Sequence, residues 1–212
     1  MATDEEQPFS ELEQTLKKAG AALRDAGIEF LLGGSLASWA RGGPETRHDL
    51  DLMIRPEDRE RATEALKAIG MRIEDPPEEW LVKAWDGEIL VDLIFCPKGI
   101  EIDDEVVARG EVMAVLGMDI RVMAIEDVLV TKLMALTEHT LRYESLLPIA
   151  RAVREQVDWP DVRARTAESP FARAFFVMLE GLGIVSAEDF EPRPRTTVRV
   201  LTPPGSRAAG AR

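Results

Sequence analysis

A glycine–serine turn near the start of the chain could bind phosphate. Gly33, Gly34 and Ser35 directly follow the apolar residues 28–32, and this order predicts a buried strand that ends in a tight turn. The residues after the turn, as far as Gly42, are typical of a short helix with Ser35 at its N-terminus. Backbone N–H groups that can bind an anion lie at such an end, and glycine leaves room for a phosphate to approach them.

Two aspartates lie a short distance after this turn. Asp49 and Asp51 alternate with Leu50 and Leu52, a pattern typical of a strand that buries its leucines and turns both carboxylates to the opposite face. Adjacent carboxylates repel each other unless a cation lies between them, and a hard divalent ion such as Mg²⁺ prefers oxygen ligands. A phosphate-binding turn beside a carboxylate pair therefore predicts metal-assisted chemistry on a nucleotide.

A predicted hairpin carries a third carboxylate. Asp86-Gly87 separates two β-rich runs, residues 80–85 and 88–95, and Asp-Gly between such runs is a strong hairpin signal. Asp92 lies within the second run, where an unpaired buried carboxylate would be costly. One interpretation is that Asp92 simply alternates outward on an antiparallel strand. The other, which we favour in view of the two earlier aspartates, is that it reaches their face as a third metal ligand.

The whole pattern predicts an α+β fold, in which a small mixed β-sheet is flanked by helices and followed by a C-terminal helical subdomain. Residues 1–123 contain the predicted strands and form the predicted core domain. Helical periodicity dominates residues 124–190. The sequence of residues 191–212 is rich in Pro, Arg, Thr, Gly and Ala, and we expect a disordered tail there.

Composition excludes several classes of protein. The 212 residues carry a formal net charge of −13, which argues against a generally basic nucleic-acid-binding surface. A single cysteine, Cys96, excludes an intrachain disulfide, and its place after an apolar run indicates a small buried side chain at a strand end. The sequence lacks the pattern of a secretory signal and an apolar segment long enough to cross a bilayer, so we expect a cytoplasmic protein with no membrane partner.

The ordered set of Gly33, Gly34, Ser35, Asp49, Asp51 and Asp92 resembles that of the DNA polymerase β-like nucleotidyltransferase superfamily. The resemblance covers roughly residues 25–136. It implies that the glycine–serine turn binds the phosphates of a nucleoside triphosphate and that the first two carboxylates bind two Mg²⁺ ions. It also implies that the third carboxylate, a further metal ligand, helps to activate the attacking hydroxyl group.

Within this superfamily the chain looks most like small bacterial nucleotidyltransferases, namely lincosamide and aminoglycoside nucleotidyltransferases and the toxins of type IV toxin–antitoxin systems. Residues 125–133 are similar to a helix that carries a triphosphate-binding lysine in these groups, which makes Lys132 the candidate. Residues 142–146 depart from a segment common in the toxins, so an RNA substrate does not follow. Arg47 and His48 could contact phosphate or acceptor, although for His48 we favour a polar residue at a strand edge.

The leading hypothesis is therefore transfer of a nucleoside monophosphate from a nucleoside triphosphate, such as ATP, to a hydroxyl group on a small molecule, a tRNA end or a protein. The acidic composition favours a small or cationic acceptor, as in antibiotic resistance. One alternative is a non-catalytic nucleotide-binding or antitoxin-like partner, against which the presence of three carboxylates argues. Another is a metal-dependent glycosyltransferase that uses Asp49 and Asp51, for which the chain is short.

Overall fold

The structure is a computed structural model that describes residues 9–46, 49–74 and 76–191. The predictions made for Arg47, His48 and nearly all of the tail lie outside the described residues.

The described residues form one seven-stranded mixed sheet with the strand order β3-β4-β5-β2-β1-β7-β6. Its strands are β1 (Phe30–Leu32), β2 (Leu50–Ile54), β3 (Arg72–Glu74), β4 (Leu81–Asp86), β5 (Ile89–Ile94), β6 (Glu111–Val115) and β7 (Met118–Val122). Neighbours are antiparallel except for the pairs β2–β5 and β1–β7, which are parallel. The sheet confirms the predicted α+β class and the predicted hairpin, which is β4–β5, and it contains a second hairpin, β6–β7.

Eight α-helices surround this sheet in the part of the chain that the structure describes. They are α1 (Phe9–Asp25), α2 (Gly34–Ala40), α3 (Arg59–Ala68), α4 (Asp104–Arg109), α5 (Ile125–Met134), α6 (Tyr143–Val153), α7 (Trp159–Arg165) and α8 (Pro170–Gly181). Short 3₁₀ turns lie at Pro56–Asp58 and Ala187–Phe190. In this described set, none of the helices has the combined length and hydrophobicity needed to cross a membrane.

One face of the sheet is an apolar core, and the other carries the polar residues of interest. Alternate residues of β2, β4 and β5 are almost fully buried on the first face: Leu50, Leu52, Ile54, Val82, Ala84, Val91 and Leu93. Helices α1 and α3 pack against β4 and β5, and Thr15 and Lys18 of α1 bind Asp86 on this same face. Because side chains alternate along a strand, the residues between these apolar positions project to the opposite face.

The C-terminal helices pack onto the sheet through α5, which contacts α2 on one side and α7 and α8 on the other. Their own core is aromatic: Trp159 and Phe176 each make an edge-to-face contact with Phe190. Since α5 belongs to both packing regions, the predicted division into residues 1–123 and 124–190 stays a prediction. Cys96, in contrast, is exposed after β5, so its predicted burial is wrong.

Candidate active site

The glycine–serine turn joins β1 to α2 and is tied to the neighbouring strand. The Gly33 N–H donates to the Asp51 carbonyl oxygen over 2.8 Å. Gly33 is the N-cap of α2 and Ser35 is its second helical residue, which confirms the predicted turn and helix start. Gly34 has a φ of +56°, and a Cβ atom added there would lie 1.6 Å from Asp51 Oδ2. Glycine is thus the one residue type that leaves this carboxylate in place.

The structure brings Asp51 and Asp92 side by side on neighbouring strands. They are register partners in the parallel pair β2–β5 and therefore project to the same face. Asp49, which is exposed, lies two residues before Asp51 and acts electrostatically on both of the other carboxylates. The three predicted acidic residues thus lie together, which excludes the interpretation that Asp92 turns to the opposite side of the sheet.

Burial and mutual repulsion perturb these carboxylates. Burial raises the pKa of Asp51 to about 6, with further upward contributions from Asp92 and Asp49 and an opposing one from nearby Lys132. The Ser35 backbone N–H also donates a hydrogen bond to the Asp51 carboxylate. Burial likewise raises the pKa of Asp92, although Lys83 opposes the shift. Acidic groups with raised pKa values at one spot are typical of a functional site.

Lys132 reaches the glycine–serine turn from α5. Its Nζ atom donates to Ser35 Oγ over 3.2 Å. Burial lowers the pKa of Lys132, while the Asp51 carboxylate nearby acts in the opposite direction. The structure therefore places this predicted triphosphate-binding lysine beside the turn and the carboxylates, although 97 residues separate it from Ser35.

A second lysine, which the sequence analysis missed, lies on the other side of the carboxylates. Lys83 is the register partner of Asp92 in the β4–β5 hairpin, and its Nζ atom is 3.3 Å from Asp92 Oδ1. The signal for this contact was present in the sequence. Once Asp86 and Ile89 are paired across the Gly87-Glu88 turn, the same register pairs Lys83 with Asp92.

A cavity of about 690 Å³ opens beside Ser35 and Lys132. The segment before β2 and the start of α6 form its other walls, with Thr46 and Arg142 among the lining residues. The Oγ1 atom of Thr46 is buried and has no hydrogen-bond partner among the described residues. Such an atom in a cavity wall is a candidate contact for a bound molecule.

The three carboxylates suit a hard divalent cation, since all of their donor atoms are oxygen. Within the described residues, however, no group of three His, Cys, Asp or Glu side chains is already arranged to hold a metal ion. Asp92 is paired with Lys83, and Asp51 accepts from the Ser35 amide. The donor atoms are therefore of the type that a divalent cation prefers, but two of the three carboxylates have partners within the protein.

The mixed sheet and its carboxylate-bearing face are consistent with the expected nucleotidyltransferase fold. Comparison with family models makes this specific. Residues 10–182 match the model of a family described as uncharacterised nucleotidyltransferase, and the chain belongs to that family. It is thus an enzyme that transfers nucleotidyl groups, and the glycosyltransferase hypothesis is wrong.

Solved structures support the same fold. The solution structure of the antibiotic-resistance factor ANT(2'')-Ia has a TM-score of 0.55 and 18% identity, and covers 82% of this chain and 97% of its own. The crystal structure of ANT(2'')-Ia with adenylyl-2''-tobramycin has a TM-score of 0.54 and 17% identity. The match covers 79% of this chain and 98% of the ANT(2'')-Ia chain. A weaker similarity, which is too low to support the fold, is to the lincosamide antibiotic adenylyltransferase LnuA bound to lincomycin. Its TM-score is 0.47 and its identity 14%, over 67% of this chain and 94% of LnuA. A search of curated proteins gives no significant match.

Proposed function

We propose that the protein transfers a nucleoside monophosphate from a nucleoside triphosphate to a hydroxyl group of a small molecule in a Mg²⁺-dependent reaction. The observation that carries this proposal is the pairing of Asp51 with Asp92 in register, on a face where Lys132 also contacts the Ser35 turn. It brings groups suited to a metal ion and to phosphate within one small region.

The triphosphate would bind at the glycine–serine turn. Backbone N–H groups of Gly34 and Ser35 donate to phosphate oxygens, and the Lys132 ammonium group neutralises part of their charge. The cavity next to this turn offers space for the nucleoside, with Thr46 Oγ1 as a hydrogen-bonding group in its wall.

Asp49, Asp51 and Asp92 would hold the two Mg²⁺ ions. When bound, such ions stabilise the negative charge that develops on the attacking and leaving oxygens. With its carboxylate on the same face, Asp92 accepts the proton of the acceptor hydroxyl group. The acceptor oxygen then bonds to the α-phosphorus, the bond to the bridging oxygen breaks, and pyrophosphate leaves.

The acceptor is proposed to be a cationic small molecule such as an aminoglycoside. The net charge of −13 disfavours a polyanionic acceptor such as tRNA, and Glu78 adds a further carboxylate whose charge acts on Asp92. The ANT(2'')-Ia complex, which shares this fold, contains adenylylated tobramycin. An ATP-dependent reaction of this kind fits a cytoplasmic enzyme.

The test is transfer of an α-³²P label from each of the four nucleoside triphosphates to aminoglycosides, lincosamides or tRNA, with and without Mg²⁺. We expect the wild-type protein to label an aminoglycoside, and we expect the Asp51→Asn and Asp92→Asn variants to lose this label transfer. The matched control is Asp104→Asn, because Asp104 is an exposed carboxylate paired with Arg55 away from the site. Label on tRNA would overturn the proposed acceptor, and nucleotide binding without any transfer would overturn the proposed reaction.

A further inference from the structure

Lys83 belongs to a row of side chains that crosses the polar face of the sheet. Register pairs link Glu74 on β3 to Lys83 on β4, Lys83 to Asp92 on β5, and Asp92 to Asp51 on β2. Register partners project to the same face, so Lys83 lies directly beside the carboxylates of the proposed metal site.

Within this row, Lys83 is directed to Asp92. The Nζ atom of Lys83 lies 3.3 Å from Asp92 Oδ1, and the exposed fractions of the two side chains are 26% and 12%. Its other neighbour, Glu74, accepts from Trp85 Nε1 over 3.1 Å and from Arg72 over 3.4 Å. The ammonium group therefore occupies one side of the carboxylate that the proposed reaction requires for metal binding and proton transfer.

We propose that Lys83 is the counter-ion of Asp92 in the metal-free enzyme and releases this carboxylate when a divalent cation binds. While the metal is absent, Lys83 acts as a positioning residue, because its ammonium group fixes the orientation of the Asp92 carboxylate. The same contact lowers the affinity of the free enzyme for the metal ion. This inference rests on the proposed function, since it assigns Asp92 to the metal site.

Charge supports this role. Asp49, Asp51 and Asp92 would together carry three negative charges. Among the described residues, Lys132 is the cation that acts on Asp51 and Lys83 is the cation that acts on Asp92. A divalent cation at Asp92 would compete with the ammonium group for the same oxygen and would repel it. A bound triphosphate adds negative charge to the site, so it favours the metal ion over the competing lysine.

The experiment measures Mn²⁺ binding to the full-length protein by electron paramagnetic resonance, without nucleotide. Lys83→Met keeps the apolar stem and removes the charge, so we expect the Mn²⁺ affinity to rise by about 3- to 5-fold, which is the upper part of the range expected for one partly exposed ion pair. Lys83→Arg keeps the charge and should leave the affinity within about twofold of the wild type. A disrupted site would lower the affinity, so the direction separates this role from a structural one.

Two controls test whether the effect comes from the contact. Lys67→Met removes the same charge from an exposed i,i+3 pair with Glu64 on α3 and should leave Mn²⁺ affinity unchanged. In an Asp92→Asn background, Lys83→Met should no longer raise the affinity, because the neutral amide has no charge for the lysine to balance.

The outcomes separate this inference from the proposed function. If Mn²⁺ binding is lost in Asp51→Asn but unchanged or weaker in Lys83→Met, the role of Lys83 is wrong and the metal site stands. If Asp51→Asn binds Mn²⁺ as well as the wild type does, the proposed metal site itself is wrong. A gain in Lys83→Met that persists in the Asp92→Asn background also overturns the proposed contact.

Discussion

Gly34 is a residue whose lack of a side chain has two separate consequences. Its φ of +56° lies in the left-handed region, and its missing Cβ atom leaves the space that Asp51 Oδ2 occupies. Gly70 shares the first property, with a φ of +86°, but a Cβ atom there would have no neighbour within 4 Å. A comparison of substitutions at the two glycines therefore distinguishes the effect of backbone strain from the effect of displacing a carboxylate.

We predict that Gly34→Ala abolishes most of the transfer activity, whereas Gly70→Ala does not. Both substitutions should destabilise the fold by about 1–2 kcal/mol because alanine is strained at positive φ. Only Gly34→Ala forces Asp51 to move, and a displaced metal-binding group should lower kcat/KM by at least about 100-fold. Kinetics and thermal unfolding of both variants check this, and equal activity losses would contradict it.

Asp51 is predicted to destabilise the folded protein at neutral pH when no metal is present. Its pKa is raised from 3.8 to about 6, so the folded state binds this proton more tightly than the unfolded state. Its contribution to stability therefore falls as the pH rises from about 4 to about 6 and then stays constant.

Replacement of the Asp51 carboxylate by an amide should remove this destabilisation at neutral pH. In EDTA at pH 7.5 we expect Asp51→Asn to raise the free energy of unfolding by about 1–3 kcal/mol, with the loss of the partner of Lys132 offsetting part of the gain. At pH 4 the two proteins should be nearly equal in stability. Urea unfolding at both pH values tests this prediction. If Asp51→Asn is less stable than the wild type at pH 7.5, the predicted direction of the change is wrong.

At the scale of the elements, helix α5 is held by an ion cluster around the buried carboxylate of Asp127. The Asp127 side chain is fully buried and binds Arg109 at the end of α4 and Arg165 at the end of α7, over 3.1 and 2.6 Å. The same helix carries Lys132 to the glycine–serine turn. The cluster therefore fixes the helix that delivers the proposed triphosphate-binding lysine.

We predict that Asp127→Ala lowers the free energy of unfolding by about 1.5–3 kcal/mol, since it removes a fully buried carboxylate that accepts from two partly exposed arginines. Asp161→Ala is the matched control, because it removes an exposed carboxylate from the same Arg165 and should cost less than about 1 kcal/mol. Chemical unfolding of both variants provides the measurement. Similar small effects would show that the cluster does not stabilise α5.

Local sequence patterns predicted most of these elements, but they did not predict the contacts between elements that are distant in the sequence. The Asp-Gly signal gave the β4–β5 hairpin, and alternation gave a strand that buries Leu50 and Leu52 on the face opposite to Asp51. The parallel pairing of β2 with β5, which places Asp92 beside Asp51, depends on packing that local sequence does not specify. The expectation for Lys132 came from a family resemblance, since nothing in α5 alone marks this lysine as a partner of Ser35.

Burial was the other quantity that sequence alone did not give. Asp127 lies in a helical pattern in which a charged residue is normally exposed, and its burial depends on arginines 18 and 38 residues away. The prediction for Cys96 failed in the opposite direction, because β5 ends at Ile94 and the chain bends at residues 95 and 96, where Cys96 is exposed. In both cases the outcome was decided by how the elements pack.

At the scale of the whole molecule, the net charge of −13 should attract a cationic acceptor over long distances. We predict that kcat/KM for an aminoglycoside falls by about tenfold as ionic strength rises from roughly 20 to 200 mM, while kcat changes little. As an internal control, kcat/KM for the anionic nucleotide should not fall. Steady-state kinetics in a salt series provides the test, and a salt-independent kcat/KM for the aminoglycoside would argue against such attraction.

The strand order has a consequence for synthesis of the chain. β1 and β2 lie at the centre of the sheet, yet the partners on their outer edges, β7 and β5, are translated later. Until residue 122 has left the ribosome, the apolar edge of β1 has no strand to pair with, and such edges promote association between nascent chains. Fragments that stop before β7 should therefore aggregate, and chaperones that cover exposed strands should assist the growing polypeptide.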